Sequence, residues 1–169
     1  TADPPAPVPR RRPSPLVVRV RVIRRVIAAN PSAFTHAGTG TYIIGRGEVA
    51  VIDPGPDLPA HLEAILKAVE GETVTHILVT HDHADHSPLS VALKAATGAP
   101  IIGCAQGERA HAALAASLAH GVSMDDEHDA DFNPDVSICG GGTAAQGPGW
   151  TIEAIPTPGH TSNHICYAL

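Results

Sequence analysis

The sequence predicts an α/β layered core, and three observations carry that expectation. Strand-like and helix-like patterns alternate from about residue 41 to residue 103, the order that builds a sheet with helices packed on it. A hydrophobic content of 43% in 169 residues supplies one buried core. The apolar, β-branched run Val74 to Thr80 has the length of a strand buried on both faces, and it leads straight into a cluster of histidines. Open α/β sheets tend to place function at that end of a strand.

In chain order, Leu16 to Ile27 sets Val18, Val20 and Val22 against Arg19 and Arg21, a period of two that marks a half-buried strand. Strands at Thr41 to Ile44 and Glu48 to Ile52 flank Gly45-Arg46-Gly47, whose glycines suit a tight hairpin. Asp53-Pro54-Gly55-Pro56 stops the third strand abruptly. Ala60 to Val69 places Leu62, Ile65, Leu66 and Val69 on one face of a helix that ends near Gly71. Beyond the histidines, Ser90 to Thr97 reads as a helix, Pro100 to Gly103 as a short buried strand, and Gly107 to His120 as an alanine-rich helix. Residues 121–135 are acidic and rich in turn formers, hence a surface loop. Gly140-Gly141-Gly142 marks a turn, and Trp150 to Ile155 alternates as a strand that ends in Pro156-Thr157-Pro158-Gly159-His160. Residues 1–15, dominated by Pro and Arg, read as a disordered leader to a domain over 16–169.

Composition narrows the function classes. Seven of the 11 basic residues precede Asn30, and the rest of the chain holds only Arg46, Lys67, Lys94 and Arg109 against 16 acids. Such a body is a poor surface for a polyanion, which needs clustered Lys and Arg. No apolar run approaches the roughly 20 residues of a membrane helix, and the first residues lack the apolar stretch of a secretory signal. No membrane partner and a cytoplasmic location are therefore expected. Cys104, Cys139 and Cys166 are odd in number and far apart, which reads as free buried thiols rather than a disulfide framework. Histidine, with 11 copies, is the outlier.

His81, His83, Asp85 and His86 fall within six residues directly after the buried strand. On extended backbone His81 and His83 project to one side, as a shared metal requires. Imidazole and carboxylate ligands suit Zn²⁺, with Fe or Mn as alternatives. A catalytic zinc commonly takes three protein ligands, and His160, held after Pro158-Gly159, is the candidate for the third.

The combination of Thr80-His81-Asp82-His83-Ala84-Asp85-His86 with the later Thr157-Pro158-Gly159-His160-Thr161 resembles the metallo-β-lactamase superfamily, and in wording its glyoxalase II-like and lactamase-like 2 group. Gly38-Thr39-Gly40-Thr41-Tyr42 and Val51-Ile52-Asp53-Pro54-Gly55 look like its opening strands and first acidic motif. The resemblance implies the N-terminal part of an αββα sandwich, mixed sheets flanked by helices. It implies two zinc ions in the intact protein, with His81, His83 and His160 on one and Asp85 and His86 on the other. Asp53 would support the loop from behind, and Asp85 would also be catalytic, orienting the hydroxide formed on zinc. His36 and His164 are candidates for the substrate side. A bridging aspartate and a last histidine would follow Leu169, so the resemblance implies a chain cut short after the third metal histidine.

The function so implied is metal-assisted hydrolysis of a small ester or thioester by a zinc-bound hydroxide. Two alternatives stand beside it. One is a metal-dependent nuclease using the N-terminal arginines as a phosphate-binding arm; the other is a metal-binding segment without catalysis.

Overall fold

The computed structural model describes residues 23–105 and 128–169. The leader over 1–15, most of the first expected strand, the helix over 107–120 and the start of the acidic loop lie outside the described residues. Strand β1 (Ile23–Ile27) is followed by β2 (Gly40–Arg46) and β3 (Glu48–Ile52), then helix α1 (Pro59–Ala68), β4 (Thr73–Leu78), α2 (Leu89–Thr97) and β5 (Ile101–Gly103). After the gap come β6 (Val136–Ser137), β7 (Gly142–Gly147), β8 (Trp150–Pro156) and β9 (Ile165–Ala168).

Strands β1 to β6 form one mixed sheet in chain order. Its first three strands pair antiparallel, β1 and β2 through the long loop over 28–39 and β2 and β3 through a tight hairpin. From β3 to β6 the pairs are parallel, and α1 and α2 make the first two crossovers. Strands β7, β8 and β9 form a second, antiparallel sheet.

Adjacent apolar residues explain the layering. In each central strand one residue faces the helices and its neighbour faces the second sheet, because successive side chains point to opposite faces. Ile43, Val49, Val51, Ile77 and Ile101 pack with Ile65, Leu89 and Leu93 of the helices. Ile44, Ala50, Leu78 and Ile102 pack instead with Trp150, Ile152, Ala154 and Ile165 of the second sheet. Two cores thus lie on either side of one sheet, the layered α/β architecture the sequence predicts. Ile77 is wholly buried, and truncating such a residue to Ala costs roughly 2–5 kcal/mol.

Two expectations shift at their edges. The run Val74 to Thr80 leaves the sheet after Leu78, since the backbone N–H of Thr80 donates to the Asp53 carboxylate at 2.8 Å. The hairpin turns on Gly47 alone, with Arg46 paired opposite Glu48. One expectation is overturned. Cys104 and Cys139 are joined by a disulfide, and Cys166 is exposed. The pairing was invisible in the sequence because the two residues stand 35 positions apart and become neighbours only when the end of β5 meets the turn before β7. It overturns the reading of free thiols for Cys104 and Cys139, whereas Cys166 is free but exposed rather than buried, and disulfides persist mainly in oxidising compartments. No helix among the described residues is long and apolar enough to cross a membrane.

Candidate metal centre

The histidine loop emerges from the C-terminal end of β4, between the two sheets. Its far end is bound to the opposite turn by two backbone hydrogen bonds: Gly55 N–H donates to His86 O at 2.9 Å, and Leu89 N–H donates to Gly55 O at 3.2 Å. Gly55 adopts a positive φ of 97°, and a Cβ there would press on the His61 ring at 3.1 Å. Glycine thus accommodates both the positive φ of this turn and the close approach of His61 from α1.

The third histidine arrives from the other sheet. Ile165 N–H donates to Thr80 O at 2.9 Å and pins the segment before β9 against the start of the histidine loop. The result is a convergence of three ring nitrogens. His81 Nε2 lies 3.0 Å from His83 Nδ1, and His160 Nε2 lies 3.1 Å from the same His83 nitrogen. All three ligand atoms fall within 4.8 Å of one another. Two nitrogens on one tetrahedral zinc stand about 3.3 Å apart, so the donor set fits a metal of that size. His81 and His83 are buried, and His160 is exposed.

A second pair lies beside them. His86 Nε2 is 3.3 Å from Asp85 Oδ2, and the His81 and His86 rings are 4.3 Å apart between centroids. Asp53 backs both groups. Its Oδ1 accepts the Thr80 N–H, its Oδ2 accepts the Thr80 hydroxyl at 2.9 Å, and the same Oδ2 lies 3.0 Å from His86 Nδ1. With its only proton directed at Asp53, the Thr80 hydroxyl accepts from His81 Nδ1 at 2.8 Å. Both histidines therefore donate through Nδ1 and direct Nε2 toward the cluster. Outer carboxylates orient metal-ligating histidines in this way. Asp53 itself has a positive φ of 50°, a conformation that Asp tolerates better than most residues.

Electrostatics separate the rings. Burial, reinforced by the neighbouring rings of His86, His83 and His160, pushes the His81 pKa down to about 2. Burial also works against a charged His86, but its hydrogen bond to Asp53 and the nearby Asp53 and Asp85 carboxylates outweigh it and raise its pKa. His164 is lowered by burial and by His160. Its Nδ1 is 2.8 Å from Thr157 Oγ1, and its ring centroid is 5.1 Å from that of His81.

Comparison with known proteins places the fold in a family. The family model described as the metallo-beta-lactamase superfamily matches residues 36–169. The chain belongs to the metallo-beta-lactamase superfamily. A lactamase-like protein of Pestalotiopsis microspora is 31% identical over 152 residues, which cover 88% of this chain and 40% of that protein. An atrochrysone carboxyl ACP thioesterase of Aspergillus chevalieri is 32% identical over 162 residues, 93% of this chain and 45% of the relative. The chain thus spans less than half the length of these curated relatives. Among solved structures, the BLEG-1 B3 metallo-beta-lactamase shares the fold at a TM-score of 0.62 and 21% identity, covering 86% of this chain and 66% of its own. ETHE1 from Myxococcus xanthus aligns at 0.54 and 25% identity, over 87% and 53% of the two chains.

On this superfamily fold the structure brings together His81, His83, Asp85, His86, His160, Asp53 and His164. His36 is exposed in the loop between β1 and β2, at a positive φ of 55°, and the ring contacts that join the other histidines do not include it. Sequence reasoning missed a set of supporting groups. His128 Nδ1 lies 3.0 Å from Asp82, and its ring centroid is 4.6 Å from that of His83. Asp129 accepts from the Ser87 hydroxyl at 2.7 Å. Buried His61 meets the Thr41 hydroxyl at 2.8 Å, and that hydroxyl donates to the backbone oxygen of Asp53. None of these carries a local motif, because each acts across a long stretch of chain.

Proposed function

We propose that the protein is a metal-dependent hydrolase of small thioesters or esters. The observation that carries this reading is the convergence of His81 Nε2, His83 Nδ1 and His160 Nε2 beside Asp85 and His86. His81, His83 and His160 would hold one metal ion, zinc by their chemistry, and Asp85 with His86 would contribute to a second. When bound, such a metal lowers the pKa of a water and polarises the carbonyl oxygen of the substrate.

The chain's own residues supply the rest. Asp85 would orient the attacking water through one carboxylate oxygen and accept its proton. Asp53 and Thr80 would hold His81 and His86 in the tautomers that keep Nε2 available. His164, whose pKa is lowered by burial, would face the substrate beside His81. The thioesterase names among the relatives support an acyl thioester over other substrates.

The test is a panel of thioester, lactone, β-lactam and phosphodiester substrates assayed with zinc-loaded protein and its His83→Ala variant. Thioester turnover that vanishes in the variant is expected. Phosphodiester turnover alone would replace this reading with a nuclease, and metal binding without any turnover would leave a metal-binding protein.

A further inference from the structure

The ten residues that precede β2 present one side chain, Thr39, to Asp85. The Thr39 hydroxyl lies 2.6 Å from Asp85 Oδ2, and Thr39 is buried. Asn30 grips Thr39 twice: its Oδ1 accepts the Thr39 N–H at 2.9 Å, and its Nδ2 donates to the Thr39 hydroxyl at 3.1 Å. The first of these bonds settles the orientation of the amide, because a flipped Asn30 would set its NH₂ against a backbone N–H. The second settles the hydroxyl. A threonine hydroxyl has one proton, and with a lone pair taken by Asn30 that proton points at Asp85.

The loop is built to hold this arrangement. Thr35 Oγ1 donates to the Asn30 carbonyl at 2.5 Å, and Ala28 N–H donates to Thr39 O at 2.9 Å. Gly38, at a φ of 127°, passes so close to the Ala28 carbonyl that a Cβ would sit 1.9 Å from its oxygen. Only glycine allows that closure, so the position of Thr39 is dictated by the residue before it.

We propose that Asn30 and Thr39 are positioning residues for Asp85: they fix its carboxylate through Oδ2, the oxygen that also lies 3.3 Å from His86 Nε2, and so set how the group faces the metal and the attacking water. The inference rests on the functional reading above, in which Asp85 is a working carboxylate. Thr39→Val removes the proton at nearly constant shape, Thr39→Ser restores it, and Asn30→Ala frees the hydroxyl to rotate.

Zinc titration by calorimetry on the full-length protein, with kcat and KM measured on the same samples, tests this. Thr39→Val should weaken the second zinc equivalent about 10–100-fold and lower kcat at unchanged KM, as loss of an outer ligand partner typically does. The first equivalent should be unaffected. Thr39→Ser should return both quantities to within roughly threefold of the starting protein, and Asn30→Ala should fall between, by the same ordering of outer partners. An unchanged second equivalent in Thr39→Val, or a loss that Thr39→Ser does not restore, would overturn the proposal while leaving the hydrolase reading intact. Failure of the unsubstituted protein to bind zinc would overturn both.

Discussion

The two segments that deliver the metal-binding histidines are held in opposite ways. The segment from Thr80 to Ser87 is tied on every side: to Asp53 through Thr80 and His86, to Gly55 through the backbone, and to His128 and Asp129 through Asp82 and Ser87. Its two leading histidines are buried. The segment from Thr157 to His164 is anchored mainly at its far end, by Ile165 N–H to Thr80 and by the Asn163 amide to the Cys104 carbonyl at 2.8 Å. His160 is exposed, and among the described residues Thr161 Oγ1 and Asn163 Oδ1 are buried without hydrogen-bond partners, a sign of incomplete satisfaction. The contrast suggests a preformed two-histidine platform on one sheet and a closing ligand brought by the other.

Substitutions can break that contrast. The largest effect belongs to His83, whose Nδ1 sits between the other two nitrogens. His83→Ala should abolish hydrolysis and reduce zinc affinity by more than the roughly 100-fold upper range for outer partners. His160→Ala should abolish hydrolysis too, yet retain weaker zinc binding on the platform. Equal affinities in the two variants, measured by competition with a chelating dye, would erase the distinction.

Next in size is the disulfide. It joins the end of β5 to the turn before β7, and Cys104 also supplies the carbonyl that holds Asn163. Cys139→Ser should lower stability by about 2–4 kcal/mol, read from the urea midpoint. Zinc affinity should fall through His160 rather than His83, so that adding His160→Ala to Cys139→Ser produces little further loss of affinity.

Asp53 tests the platform from behind. Asp53→Ala should weaken zinc binding roughly 10–100-fold. Asp53→Asn, which keeps a residue able to adopt the positive φ, should lose less.

The smallest effect is graded and concerns pH. His81 has its pKa depressed in the folded state from 6.5 to about 2, so the unfolded chain binds more protons between those values. Stability of the metal-free protein should be fully present above 6.5 and decline as pH falls below it. His61, His76 and His164, also lowered, act in the same direction, and His86, whose pKa is raised, opposes it. Urea midpoints that rise on acidification would show that His86 dominates.

The platform was legible in the sequence for a physical reason. Periodicity and ligand chemistry are local, so β2, β3, α1 and β4 could be located to within about two residues, and His81, His83, Asp85 and His86 announce themselves by spacing. His160 needed a resemblance as well as a turn. What stayed hidden acts through space alone: Thr39 on Asp85 and His128 on Asp82 each bridge 46 positions, and the Cys104–Cys139 pair depends on β5 and β6 pairing side by side in one sheet. An unremarkable threonine or a histidine in an acidic loop carries no mark of its partner.

The central claim is that three nitrogens on two sheets bind one metal ion. Anomalous diffraction at the zinc edge from zinc-soaked crystals tests it most directly. The expected result is a peak about 2.1 Å from each of His81 Nε2, His83 Nδ1 and His160 Nε2. A zinc peak bound elsewhere, or one touching His81 and His83 while His160 points away, would contradict it.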